Sequence, residues 1–105
     1  MYGIYMLIWK EPIEFEWDEG NLEKSQRHGV SKMEIEQIYF DKKKKLIFDE
    51  KHSFSEERYI LVGRSKKKRW IYTSMTIRDD KVRIFSARYM HKKEVELYEK
   101  AINST

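Results

Sequence analysis

The sequence lacks cysteine, and it contains only one proline and four glycines in 105 residues. Without cysteine the chain cannot form a disulfide framework, a thiolate metal site or a cysteine nucleophile. It also lacks a linker rich in glycine or serine and an internal repeat, so we expect one domain with one core. Charged residues make up 38% of the chain, but 14% aromatic residues argue against disorder.

Long hydrophobic runs are absent as well. The apolar stretch at residues 4–9 is too short to span a membrane. It also lacks the basic region and the cleavage site of a signal peptide. We therefore expect a cytoplasmic protein, and the absence of cysteine is consistent with a reducing compartment.

Charges of the two signs are unevenly distributed along the chain. Residues 1–40 contain four Lys or Arg and eight Asp or Glu, whereas residues 41–105 contain eighteen and ten. A basic region of this size suggests a polyanionic partner, because phosphate contacts dominate the affinity of proteins for nucleic acids. Many basic faces are only solvated, so charge alone leaves both interpretations open.

Capping signals predict a helix near each end of the domain. Asp18 is placed to cap a helix that runs to about His28, with Gly29 as its C-terminal stop. A final helix is expected over about residues 91–102. Its apolar face would consist of Val95, Tyr98 and Ile102.

A third helix is predicted by a capping box at Ser31 and Glu34. In this motif the serine accepts from the Glu34 amide, and the glutamate reaches back to the Ser31 amide. Val30 and Ile35 have the spacing of a hydrophobic staple around it. Two helices are therefore expected before the first long strand.

Four segments rich in Ile, Val, Tyr, Thr and Trp indicate strands, at residues 46–48, 58–64, 69–78 and 81–88. Residues 14–17 alternate in polarity and predict a short strand or an extended entry. Helices that bracket an antiparallel meander give an α+β domain. The expected fold is thus an antiparallel sheet of about four strands, with two N-terminal helices and one C-terminal helix.

The pair Asp79 and Asp80 predicts a two-residue hairpin loop, which sets the register of the last two strands. The expected cross-strand pairs are Arg78 with Lys81, Thr76 with Arg83, Ser74 with Phe85 and Tyr72 with Ala87. Directly opposed residues share a face. One face would be the core, with Ile71, Met75, Ile77, Val82 and Ile84. The other would carry Trp70, Tyr72, Ser74, Thr76, Arg78, Lys81, Arg83 and Phe85.

Arginines, hydroxyl groups and aromatic rings on one face suit single-stranded RNA. Guanidinium groups hold phosphate in a bidentate manner, and rings stack on unpaired bases. The alternative is that a helix covers Trp70, Tyr72 and Phe85, with the arginines at its edge. The RNA interpretation would fail if Arg78 and Arg83 were locked in internal ion pairs beneath a covering helix.

Groups for proton transfer are fewer. Asn21, Lys24 and His28 share one face of the first helix, where a lysine and an imidazole four residues apart could stabilise a phosphorane and move a proton. A histidine at a helix end is also favoured by the helix dipole alone. His52 is a second possible base, or a loop histidine that caps backbone groups.

The sequence contains no motif of a metal-dependent or cofactor-dependent enzyme. The three histidines lack the spacing of zinc ligands, and the acidic residues do not cluster as in a two-metal nuclease. A Walker loop, a dinucleotide fingerprint and a serine elbow are missing from the sequence. RNA transesterification needs only a base, an acid and cations for the developing charge, so we expect no cofactor and no metal.

A series of short motifs follows in a fixed order over about residues 14–99. The segments are Phe15 to Asn21, Lys24, His28 to Ser31, His52-Ser53, Glu56 to Arg58, Gly63 to Ser65, Arg69, Thr76 to Arg78, Val82 to Ile84, Ser86 to Arg88, Met90, Lys93-Glu94 and Tyr98. In this order and spacing they resemble the BrnT toxin family, formerly DUF497.

The resemblance implies a ribonuclease toxin of a type II toxin-antitoxin system, with helices packed on a twisted antiparallel sheet as in the RelE-type toxins. It implies cleavage of mRNA that arrests translation, and neutralisation by a dimeric, DNA-binding BrnA-like antitoxin. The catalytic set carried over from the family is Lys24, His28, Glu57, Arg58, Arg78, Arg83 and Arg88. The expected RNA-binding residues are Arg64, Arg69, Trp70, Tyr72, Thr76, Lys81 and Phe85.

The sequence departs from the family pattern at two places. The family usually begins near Phe15, so residues 1–13 are expected to be an extension, either an added strand or a partner contact, ahead of a domain at 14–105. Lys66, Lys67 and Lys68 replace the more usual glycine-containing turn. Two alternatives to a nuclease stay open: a non-catalytic RNA- or DNA-binding domain, and a degenerate toxin homologue that acts as an interaction protein.

Overall fold

The computed structural model describes residues 13–53 and 55–103, the last three of these by their backbone alone. The strands are β1 (Phe15–Glu16), β2 (Lys45–Phe48), β3 (Tyr59–Arg64), β4 (Trp70–Arg78) and β5 (Lys81–Tyr89). The α-helices are α1 (Glu19–Arg27), α2 (Lys32–Ile38) and α3 (Lys92–Asn103). A short 3₁₀ helix, Glu50–His52, follows β2. The predicted residues 1–13 extension lies almost entirely outside the described residues and stays a prediction.

The five strands form one mixed sheet in the order β1-β5-β4-β3-β2. The strands β2 to β5 pair antiparallel, as predicted. The expectation of about four antiparallel strands is wrong, because β1 pairs in parallel with β5 through Phe15 with Val82 and Glu16 with Arg83. The β5 edge offers backbone groups that need partners, and the Val82 amide donates to the Glu14 carbonyl at 2.8 Å. The α+β class is confirmed.

The helix caps follow the sequence signals with one exception. The Asp18 side chain accepts from the Asn21 amide at 3.2 Å, and Gly29 after α1 has a φ of +80°. Ser31 accepts from the Glu34 amide at 3.2 Å. The Glu34 carboxylate does not complete the capping box, because it is buried and accepts the hydroxyl groups of Ser65 and Tyr89, each at 2.9 Å.

The face of the sheet that packs on α2, here called the inner face, holds the main core. Ile35 and Ile38 of α2 are fully buried against the sheet, and Val30 lies in the same cluster. The strands contribute the residues predicted for the core face, namely Ile71, Met75, Val82 and Ile84, with Ile77 packed against them. Binary patterning therefore assigned this face correctly.

The opposite face, here called the outer face, is covered in part by α3. Val95 and Tyr98 pack against a second cluster that is centred on Val62, Trp70 and Met90. Ile102 is predicted to share this face, but the structure describes only its backbone. Trp70 is only 7% exposed, so the covering-helix alternative holds at this end of the sheet.

The β4–β5 hairpin has the predicted loop but contains a β-bulge. Arg78 pairs with Lys81 and Thr76 with Arg83, as expected. The other two pairs are wrong: between Ser74 and Met75 the register shifts, so that Ser74 faces Ser86 and Tyr72 faces Arg88. A bulge inserts one extra residue into one strand, here Phe85 of β5. Beyond it, Arg88 instead of Ala87 becomes the outer-face partner of Tyr72.

We predict that Gly63→Ala lowers the free energy of unfolding by about 1–3 kcal/mol, as overpacking does. A Cβ at this buried position of β3 would lie 2.9 Å from the backbone oxygen of Ile38 in α2, so helix and strand would have to move apart. Urea denaturation measures the change. Gly20→Ala is the control, because its Cβ would meet only the Asp18 side chain at 3.2 Å, and alanine favours a helix by up to about 1 kcal/mol. Equal stability of Gly63→Ala and wild type would contradict the packing account.

Candidate active site

A group of polar and aromatic side chains lies on the outer face beside α3. We call it the outer-face cluster. It comes from the loop between β2 and β3 and from the facing strands β4 and β5. Its members are Asp49, His52, Arg58, Tyr72, Phe85 and Arg88.

Arg88 is held by a carboxylate and an aromatic ring. It donates to both oxygens of Glu94 in α3, at 2.8 and 3.0 Å, and its guanidinium lies 4.4 Å from the centre of the Tyr72 ring. The hydrogen bonds to Glu94 raise the pKa of Arg88. The same bonds, followed by one from the His91 amide, lower the pKa of Glu94 to about 2. Arg88 is therefore a fixed cation with an internal counterion.

Arg58 is positioned differently. Its guanidinium lies 4.2 Å from the centre of the Phe85 ring, an arrangement that favours a cation. Its backbone amide donates to the Ser53 hydroxyl at 2.9 Å, which fixes the loop before β3. In the described part of the chain, no ion pair involves Arg58, so its charge is available to an anion.

His52 and Asp49 form a pair that sequence reasoning missed as a unit. The His52 Nδ1 atom lies 2.9 Å from an Asp49 carboxylate oxygen. The 3₁₀ helix Glu50–His52 brings the two residues together, because side chains three apart eclipse in this geometry. An ionised carboxylate only accepts, so this contact favours the neutral tautomer with the proton on Nδ1, in which Nε2 is the ring atom that can accept a proton. The His52 side chain is 63% exposed and that of Asp49 is 14% exposed.

The loop that carries Asp49 lies beside Arg58, because the Asp49 backbone amide donates to the Arg58 carbonyl at 2.9 Å. Burial is the main cause that raises the pKa of the Tyr72 hydroxyl; the Arg88 charge lowers it, and the charges of Asp49 and Glu94 raise it. Asp49 and the Arg88–Glu94 pair therefore both act on one phenol. The backbone contact with Arg58 and the shared influence on Tyr72 link the His52–Asp49 pair to the cluster. In the sequence, only the spacing of three residues between Asp49 and His52 signals the pair.

Two of the predicted arginines are ion-paired at the hairpin end of the sheet. Arg78 contacts Glu56 at 2.8 Å and is 44% exposed. Arg83 contacts Glu16 at 3.3 Å and Asp18 at 3.6 Å, and its side chain is 21% exposed. The expectation of free guanidinium groups on this stretch is therefore wrong. Among the residues that the structure describes, no helix covers these two arginines, because α3 packs on Trp70, at the opposite end of β4.

Glu57 and Thr76 are joined to each other at the start of β3. The Thr76 hydroxyl donates to the Glu57 carbonyl at 2.6 Å, and Thr76 is 3% exposed. The Glu57 carboxylate accepts from the Tyr59 hydroxyl at 2.6 Å. Burial, followed by this bond, raises the pKa of Tyr59 to about 12. Thr76 is thus a structural residue, whereas Glu57 is exposed and its carboxylate contacts Tyr59 of the inner-face core instead of the cluster.

The remaining predicted residues do not join the outer-face cluster. Lys24 and His28 are exposed at the C-terminal half of α1, and no hydrogen bond in the described residues links them to the arginines. Arg69 stacks at 3.5 Å on Tyr89, which belongs to the inner face. Arg64 lies over Trp70 at 5.7 Å. The exposed Lys81 follows the hairpin turn.

Two further observations concern the described residues as a set. Between residues 13 and 103, leaving out residue 54, no three His, Asp or Glu side chains are grouped as metal ligands would be. Within the same stretch, none of the helices combines the length and apolar character needed to cross a membrane.

We predict that Glu94→Gln lowers the free energy of unfolding at pH 7 by about 1 kcal/mol, a value reduced for solvent screening of a partly exposed pair. The folded-state pKa of Glu94 lies below its ordinary value of 4.5, at about 2. The stabilisation is therefore present above pH 4.5 and is lost as the pH falls toward 2. Urea titrations across this range should show the variant and wild type converging. Glu96→Gln, an exposed position on the same helix, should behave as wild type, and a constant difference at all pH values would refute the assignment.

The comparisons with known proteins agree with the resemblance found in the sequence. No curated protein matches the chain. Residues 17–94 match the protein family described as "Ribonuclease toxin, BrnT, of type II toxin-antitoxin system". This match covers most of the chain and includes the strands β2 to β5 in full, together with every member of the outer-face cluster; β1 lies just before it. The chain belongs to the BrnT family of ribonuclease toxins of type II toxin-antitoxin systems.

Proposed function

We propose that this protein is an endoribonuclease that cleaves mRNA without a metal ion at the outer-face cluster and thereby arrests translation in the cytoplasm. A BrnA-like antitoxin, dimeric and DNA-binding, would neutralise it in a hetero-oligomer. A likeness of the fold to RelE-type toxins is part of the same proposal. The observation that carries the proposal is the His52–Asp49 pair, because it supplies an oriented base next to fixed cations.

The proposed reaction is an internal transesterification of RNA. The 2′-oxygen attacks the adjacent phosphorus as His52 Nε2 removes its proton, and the bond from phosphorus to the 5′-oxygen breaks. A proton from an acid group then goes to the departing 5′-oxygen. The products are a 5′-hydroxyl group and a 2′,3′-cyclic phosphate. Asp49 holds the imidazole in the required tautomer and stabilises the imidazolium that forms.

Two arginines support the cationic part of this proposal. Arg58 stacks on Phe85 without a carboxylate partner in the described residues, so it can contact the negative charge that develops on the phosphorane. Arg88 is fixed by Glu94 and Tyr72, and a fixed cation needs little reorganisation during reaction. Phe85 and Tyr72 offer rings beside these cations, where unpaired bases would stack.

The other residues carried over from the family keep testable but secondary roles. Lys24 and His28 remain candidates for the acid only if RNA bridges α1 and the outer face. Arg78 and Arg83 would contact phosphate only by exchanging their carboxylate partners. Trp70 and Thr76 are buried, so we leave them out of the RNA contacts.

The ion pairing of three arginines favours the two alternatives to a nuclease, which are a non-catalytic RNA- or DNA-binding domain and a degenerate toxin homologue that acts as an interaction protein. Arg78, Arg83 and Arg88 each have a carboxylate partner, and a compensated face is also suited to a protein partner or to binding without chemistry. Binding of RNA at micromolar protein without any cleavage would favour the binding domain. Growth arrest on expression, relieved by a small partner encoded next to the gene, would separate an active toxin from a degenerate one.

We predict that the purified protein cleaves single-stranded RNA in excess EDTA and leaves a cyclic phosphate or a 3′-phosphate. His52→Gln should slow single-turnover cleavage by about 10²-fold or more, the usual contribution of a general base. Asp49→Asn should slow it less, because the imidazole remains. His91→Gln is the control, since its exposed side chain lies outside the cluster. Full activity of His52→Gln would remove this histidine from the mechanism.

A further inference from the structure

Eight exposed cations lie at the end of the sheet opposite the β4–β5 hairpin. They come from the turn before β2, from the β3–β4 loop and from the start of α3. Three contacts bring these segments together: the Arg64 amide donates to Asp41 at 2.8 Å, the Lys66 amide to Gln37 at 3.0 Å, and the Met90 amide to the Trp70 carbonyl at 3.0 Å. We call this group the lysine end. Its members are Lys42, Lys43, Lys66, Lys67, Lys68, Arg69, Lys92 and Lys93.

These cations have no counterion among the side chains that the structure describes. In residues 13–53 and 55–103, no ion pair includes any of the eight side chains. The carboxylates nearby are engaged with uncharged donors: Asp41 accepts backbone amides, Glu34 accepts two hydroxyl groups, and Glu99 accepts the indole N–H of Trp70. The positive charge at this end is therefore open to an external anion.

The hairpin end of the same sheet has the opposite character. There Arg78 and Arg83 are paired with carboxylates, and Asp79 and Asp80 form the exposed turn. Long-range attraction of a polyanion follows the summed charge, so it would act on the lysine end. The arginines of the outer face contribute less to binding than their number suggests.

The conformation of the β3–β4 loop gives a second, independent observation. Lys68 has a φ of 63°, a left-handed conformation that costs a non-glycine residue roughly 1–2 kcal/mol. Three consecutive lysines in one tight loop also repel one another. Stability alone would favour glycine here, so fold requirements do not account for a lysine at this position.

The chemistry of the surface selects the type of ligand. Lysine is depleted in protein–protein interfaces, and these eight positions include no apolar side chain to form an interface core. Lysine ammonium groups act as point charges toward phosphate. The lysine end also adjoins the outer-face cluster. Its member Arg69 directly precedes Trp70 at the start of β4, and Tyr72 of the cluster follows Trp70 by two residues, about 7 Å along a strand.

We propose that the lysine end binds the phosphate backbone of single-stranded RNA and provides most of the substrate affinity, while the outer-face cluster performs the chemistry. The inference rests on the proposed function for the identity of the RNA as substrate. An RNA strand held at the lysine end would pass the start of α3 and reach Arg88 and Tyr72. Short RNA that occupies only the cluster would not use these lysines.

The test measures binding of a fluorescent 2′-O-methyl RNA oligonucleotide, which cannot react, by anisotropy at several salt concentrations. The combined variant Lys66→Gln, Lys67→Gln and Lys68→Gln should bind about tenfold more weakly or worse at low salt, with a log–log salt slope shallower by about 2. The same three positions changed to Arg keep the charge and should retain the wild-type slope. If the Gln variant does not fold, Lys42→Gln with Lys43→Gln tests the same surface.

Cleavage assays separate this inference from the proposed function. For long RNA, the Gln variant should show a higher KM with kcat unchanged within about twofold, whereas a dinucleotide should be cleaved as by wild type. If the Gln variant lost RNA affinity but neither wild type nor any variant cleaved RNA, the proposed nuclease function would be refuted and the proposed RNA-binding surface would be supported. If the folded Gln variant bound RNA as tightly as wild type, the inference would be overturned. If that variant had also lost binding to poly-glutamate, the surface would instead be assigned to an acidic protein partner.

Discussion

The extra residue in β5 determines what the outer face can do. Because of the bulge at Phe85, Arg88 pairs with Tyr72 instead of pointing into the core, and from there it reaches both oxygens of Glu94. A regular ladder would place Ala87 beside Tyr72 and turn Arg88 toward the buried inner face. The Arg88–Glu94 pair also ties α3 to the sheet, next to Trp70 and Tyr98. One irregularity in one strand thus shapes the cluster and adds an ion pair to the apolar packing that holds α3 on the sheet.

Charge is divided between two parts of the molecule, for which we propose different tasks. Arginines in the described sheet are fixed by carboxylates or rings, which makes them precise but partly neutralised, whereas the lysine end is uncompensated and exposed. Fixed groups suit stabilisation of a developing charge, because they need no reorganisation. Uncompensated lysines suit salt-dependent attachment of a phosphate backbone. Under the proposed function, this division would let a chain with a net charge of +4 hold a polyanionic substrate at one end, while three arginines of the proposed reactive face are paired with carboxylates.

Much of the fold follows from the sequence, and the site follows less well. Capping residues located α1 and α2, and alternation assigned both faces of β4, because these signals are local. The bulge left no such signal, so the pairs of Ser74 and Tyr72 were predicted wrongly. The carboxylate partners of Arg78 and Arg83 come from Glu56 and Glu16, which only the tertiary fold brings close. His52 was identified singly, but its relation to Tyr72 depends on the path of the loop after β2.

The measurement that tests the central claim most directly uses RNA with a single 2′-deoxy nucleotide at a mapped cleavage position. In the proposed reaction the 2′-oxygen of that nucleotide is the nucleophile. In EDTA, the wild-type protein should therefore fail to cut at the substituted position while it cuts the matched all-ribose strand. Equal cleavage of both strands would contradict the account, because the nucleophile would then be water and His52 would have no 2′-hydroxyl to deprotonate.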